Sequence, residues 1–147
     1  MKTMLAVVFM LIVGSFPAWA ALGDNVSSVV SDQTVLHGTL RKEVRAGYNL
    51  HQITTSDGSV VSEFVSPAGK VFGVSWQGHS MPNLQQLLGS YATQLQQGQR
   101  TQVIPRRGVT IQGADFVFSS FGRLRSFRGR AYAPSLVPGN VTAEVVQ

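Results

Sequence analysis

The stretch Tyr48–Trp76 constrains the fold of this 147-residue chain more than any other, because it reads as three extended runs separated by two turns of identifiable chemistry. Tyr48 to Thr55 is the first run, and Ser56-Asp57-Gly58 supplies the Asp-Gly pair that accepts positive φ in a tight hairpin. Val60 to Val65 returns. Ser66-Pro67-Ala68-Gly69 places proline second and glycine fourth, as a type I turn prefers, before a third run at Val71 to Trp76. An antiparallel meander follows. Alternation in the third run puts Phe72, Val74 and Trp76 on one face and Val71, Gly73 and Ser75 on the other, so the bulky face is expected in the core.

An apolar sheet face needs a cover, and the next segment supplies one. Pro82 suits a first helical position, and Leu84, Leu87, Leu88, Tyr91 and Leu95 recur at helical spacing while Gln85, Gln86, Gln94, Gln96 and Gln97 stay off that stripe. One helix over residues 82–97 is expected, capped by Gly98 and followed by a loop from Gln99 to Gly108. Two further extended runs, about Phe116–Ser120 and Leu124–Tyr132, are expected to turn at Gly122. Asn140 to Gln147 reads as a short edge strand or a frayed end. Val26, Val29, Val30 and Leu36 follow helical spacing only loosely, so a short helix there rests on little. The expected fold is α+β: an antiparallel sheet of about five strands (meander 48–76, hairpin 115–132) with one amphipathic helix (82–97) on one face.

The first twenty residues carry an address rather than structure. Lys2, an apolar run from Met4 to Val13, and Ala18-Trp19-Ala20 before Ala21 match a cleavable secretory signal, with cleavage expected between Ala20 and Ala21. The apolar run is half the length that crosses a bilayer, and no later stretch approaches that length, so residues 21–147 are expected to form one exported domain without a membrane span, periplasmic or secreted. The chain has no cysteine. That excludes a disulfide framework, a thiol nucleophile, a thiolate metal site and a lipidated cysteine at the cleavage point.

The segment Gly69-Lys70-Val71-Phe72-Gly73-Val74-Ser75-Trp76-Gln77-Gly78, followed by Pro82, Leu84 and Leu87-Leu88-Gly89-Ser90-Tyr91, resembles a bacterial exported family, domain of unknown function 2844. The resemblance extends to Ala21-Leu22-Gly23 and to Gly129-Arg130-Ala131-Tyr132-Ala133-Pro134, and departs mildly at His79, where the family is expected to favour proline. It implies a Gram-negative-type exported protein and brings no catalytic residues.

Catalytic patterns are sparse. Gly73-Val74-Ser75-Trp76-Gln77-Gly78 has one residue too many for a Gly-x-Ser-x-Gly elbow, and Ser75 falls inside a strand rather than on a strand-to-helix turn. His37, His51 and His79 are too widely spaced for a local metal-ligand pair. Glu63 shares a strand face with Val61 and Val65; it is expected on a half-solvated face, opposite a positive residue. No cofactor and no metal is implied.

Charge gives the better lead. Residues 21–97 carry four basic and five acidic side chains, whereas 98–147 carry seven arginines and two acids. Arginine's planar fork suits phosphate and carboxylate, so an anionic envelope component or another exported protein is the expected partner. Nucleic acid is disfavoured by export and by the lack of a recognition motif. Along a single strand, Arg123 and Arg125 would face one way and Arg128 and Arg130 the other; a bulge between Arg125 and Arg128, eased by Gly129, would unite them, whereas regular pairing spreads the charge over two faces, with Phe121, Phe127 and Tyr132 interleaved. These four arginines are the candidate ligand-binding residues of a non-enzymatic binding or accessory module. An assembly subunit is the alternative, and a small hydrolase using Ser75 a weaker one.

Overall fold

The computed structural model describes residues 21–101 and 108–147. Seven antiparallel strands form one sheet: β1 (Thr39–Arg45), β2 (Tyr48–Thr54), β3 (Val60–Val65), β4 (Val71–Gly78), β5 (Gly108–Gln112), β6 (Val117–Arg123) and β7 (Ser126–Tyr132), in the order β1-β2-β3-β4-β7-β6-β5. The expected five strands are therefore too few. β1 escapes sequence reading because Arg41, Lys42, Glu43 and Arg45 crowd it with charge, as befits an edge strand that must not template further pairing. β5 is only five residues long and follows an Arg- and Gln-rich stretch.

The meander is found where its turns place it, with β2 and β3 paired from Asn49↔Val65 to Thr54↔Val60. One expectation within it fails. The register shifts between Phe64 and Val65, so that Gly73 lies opposite Phe64 and Val71 opposite Val65. This irregularity sends Phe72 to the opposite face from Val74 and Trp76: Val71, Val74 and Trp76 join the helix-covered core, and Phe72 joins a second one with Leu50, Phe64 and Val146.

Nor is the cover one helix. It consists of α2 (Leu84–Leu88), a 3₁₀ turn at Gly89–Tyr91 and α3 (Ala92–Thr101), with α1 (Ser28–Val35) beside them. Helix α2 starts two residues later than Pro82 suggests, because Asn83 is the better cap: its side chain accepts from the Gln86 N–H. The break follows from Gly89, whose φ is +51 and whose missing side chain admits Ala21, only 2.4 Å from where a Cβ would stand. Leu22 N–H donates to the Leu87 carbonyl beside it at 2.9 Å, so the segment before α1 is stitched into the helical layer. Gly98 is not a cap but an interior residue of α3; a Cβ there would stand 2.6 Å from Ile111 of β5.

The second face has its own cover. Residues 134–147 neither add a strand nor fray; they cross the sheet with 3₁₀ turns at Pro134–Leu136 and Ala143–Val145, and Val146 is fully buried against Phe72 and Phe64. Among the described residues no helix is long and apolar enough to cross a membrane.

Candidate functional site

The β6–β7 hairpin decides where the arginines go. Its turn is Leu124-Arg125, with Arg123 paired to Ser126, rather than Gly122 as expected. Two residues thus leave the strand, and the register becomes Phe121↔Arg128 and Ser119↔Arg130. Because directly opposed residues share a face, Arg123, Arg128 and Arg130 all lie on the second face; a hairpin turn unites them, not a bulge. Arg125 sits in the turn at φ +61, a left-handed conformation uncommon for a side chain of its size.

Two rows of residues run across this face beside the C-terminal cover. One is polar: Gln52, Ser62, Ser75, Arg130, Ser119 and Thr110 are successive partners from β2 to β5. The next contains Gln77, Arg128 and Phe121. The second row, with Ser119 and Arg130 of the first, floors two adjoining depressions of about 560 and 470 Å³, which share Gln77, Phe121 and Arg128. Arg123 and Arg125 line the first, Arg130 and Gln147 the second, and among the described residues no Asp or Glu lines either. Arg130 donates from Nη1 to the Val146 carbonyl at 3.1 Å, which holds its guanidinium against the end of the C-terminal segment. Phe121 is 53% exposed and Leu124, at the hairpin apex, 95%. Phe127 lines the first depression, whereas Tyr132 packs in the second core and takes no part.

A different cluster lies under the helices. Lys42, His51, Glu63, Val74, Ala131, Phe118 and Ile111 are successive partners across the whole sheet. Glu63 is therefore not on a half-solvated face: it is 1% exposed, and Asp32 of α1, fully buried, descends onto it. The two carboxyls are hydrogen-bonded, and Gln86 of α2 donates from Nε2 to Asp32 Oδ1 at 2.6 Å. Burial, then the neighbouring Asp32 charge, pushes the Glu63 carboxyl well above the usual carboxylate range. The residue opposite is His51, buried and held below its ordinary value by desolvation first and by Lys42 second, so burial disfavours the positive charge expected there. Sequence reading flagged Glu63 but missed Asp32, His51 and Gln86. The signal was present only as polar residues in apolar runs.

Ser75 lies within β4, buried, and donates to the main-chain oxygen of Gln147, with Ser62 and Arg130 as strand partners. His37, His51 and His79 are not brought together, and no group of three or more metal-ligating side chains exists among the described residues. Ala20 lies outside the described residues, while Ala21 is buried against the Gly89 turn.

A family model described as protein of unknown function (DUF2844) matches residues 18–146. The chain belongs to the DUF2844 family. No curated protein and no solved structure gives a match. For this DUF2844 protein, function must therefore be argued from the geometry of the two clusters. The buried carboxyls are closed off beneath α1 and α2, whereas the arginines stand on an open face.

Proposed function

We propose that this DUF2844 protein is an exported, non-enzymatic binding module of the bacterial envelope whose basic groove takes an anionic partner. One observation carries the reading: Arg123, Arg128 and Arg130 share one open sheet face around the exposed Phe121, in depressions that no Asp or Glu side chain lines among the described residues. Arginines one alternate position apart stand roughly 7 Å from each other along a strand, a spacing that lets two guanidinium forks grip neighbouring anionic groups. Phe121 adds a flat apolar surface for a ring or chain between them. The secretory signal at residues 1–20 and the family resemblance support an extracytoplasmic setting.

The test is retention of envelope components on immobilised residues 21–147 at low and high salt, beside a variant with Arg123, Arg125, Arg128 and Arg130 all changed to Ala. Salt-sensitive retention of a phosphate- or carboxylate-bearing component, lost in the variant, is the expected result. Equal retention by both proteins rejects the arginine groove.

A second reading, a subunit of an exported assembly, is favoured by α1, which buries Asp32 yet leaves Val30 and Val35 55% and 53% exposed. A larger particle in native extracts, dispersed by Val30→Ser with Val35→Ser, would support it. Elution as a monomer counts against it.

A further inference from the structure

The apex of the β6–β7 hairpin carries residues that a two-residue turn does not favour. Such turns take Asn-Gly or Asp-Gly, because short polar residues and glycine tolerate positive φ and face water at little cost. Here the pair is Leu124-Arg125, with Arg125 at φ +61 and Leu124 95% exposed. Leu124 touches neither of the two apolar cores. It projects from the molecule between Arg123 and Arg125, and below it Phe121 and Arg128 extend the same combination of apolar and basic groups down the open face.

We propose that this hairpin tip docks on an anionic phospholipid surface, with Leu124 entering the boundary between headgroups and acyl chains and the arginines pairing with lipid phosphates. The proposal rests on the reading of the basic face as an anion site and names its partner. A soluble polyanion lying in the groove would engage Arg128, Arg130 and Phe121 but would have no use for a bare leucine at the outermost point. A bilayer uses both, because apolar insertion and attraction between basic side chains and acidic headgroups act together at a membrane surface. Arginine is suited to that role: its aliphatic stem lies along apolar surface while the guanidinium stays at phosphate level. Among the described residues, no Asp or Glu side chain lines the depressions at the hairpin's base.

The test uses residues 21–147 and sedimentation with vesicles of phosphatidylglycerol or of phosphatidylcholine, beside retention on inorganic polyphosphate. The expected result is binding to phosphatidylglycerol that weakens with salt and is absent with phosphatidylcholine. Leu124→Ser should weaken vesicle binding by roughly tenfold or more, the loss of one buried leucine, and leave polyphosphate binding unchanged. The variant with all four arginines changed to Ala should lose both. Val44→Ser removes another exposed apolar residue, 87% exposed on the far edge strand, and should change neither. Vesicle binding that is indifferent to Leu124→Ser overturns the hairpin docking while leaving the anion groove standing, provided the arginine variant still loses polyphosphate. If the wild-type chain binds neither vesicles nor polyphosphate, both readings fall.

Discussion

Glu63 carries an ionisable carboxyl into a strand face otherwise built of Val61 and Val65, and it meets another carboxyl, Asp32, descending from α1. Two such groups in contact beneath the helices cannot both be ionised cheaply, so a proton is retained on the pair. The groups facing Glu63 give little relief: burial disfavours the charged form of His51 from β2, Lys42 from β1 is one strand further and exposed, and α2 and β4 present only Gln86 and Val74. The folded chain thus binds a proton that the unfolded chain releases near the ordinary value of 4.5. With more protons bound by this pair in the folded state, its contribution to stability falls as pH rises from about there towards the raised value, whereas the depressed His51 contributes with the opposite sign below its ordinary value of 6.5. Thermal unfolding between pH 4 and pH 9 should show the wild type losing stability relative to Glu63→Gln as pH rises, because the amide keeps size and hydrogen bonding but cannot ionise, and the variant's Tm at neutral pH should be higher by a few degrees. Parallel profiles for the two proteins would refute the shared proton.

Among the elements, the β2–β3 hairpin shows how one exposed carboxylate organises a turn and its neighbour. Asp57 accepts from the Thr55 hydroxyl, from Ser59 N–H at 3.1 Å and from Ser80 Oγ at 2.7 Å, so it ties the hairpin to the segment after β4. These bonds, led by Thr55, hold its carboxyl well below the usual carboxylate range. For a depressed acid the sign is opposite to that of Glu63: its contribution is present above the ordinary value and disappears as pH falls. Asp57→Asn should lower stability modestly at neutral pH and flatten the profile below about pH 4, which acid unfolding followed by circular dichroism measures. An unchanged acid limb would mean that the bonds to Asp57 contribute nothing net. The Asp57-Gly58 turn was legible in sequence because its requirement, positive φ at Gly58, is local. The β6–β7 turn was not, because Leu124-Arg125 carries no such signature and Gly122 beside it does.

On the scale of the whole molecule, the C-terminal segment converts an open sheet into a layered one and walls the basic face. Val146, fully buried, packs where a side chain on Gly73 would stand, 2.5 Å from its Cγ2, and its carbonyl anchors Arg130. Val146→Ala should destabilise the fold by about 2 kcal/mol through lost burial and a residual cavity, seen as a lower denaturant midpoint. It should also weaken anion binding by loosening the segment that holds Arg130. A midpoint equal to wild type would show that the segment is not part of the cooperative unit.

Sequence by itself determined the meander, its two turns, the apolar stripe that became α2 and α3, and the family, because each depends on neighbours within a few residues. Only the tertiary structure decided the seven-strand count, the faces of Phe72 and Glu63, the cover over the second core and the union of the arginines. Those follow from register between distant strands, where a two-residue turn or one irregularity reverses which face a side chain takes, and nothing in the local pattern encodes that shift.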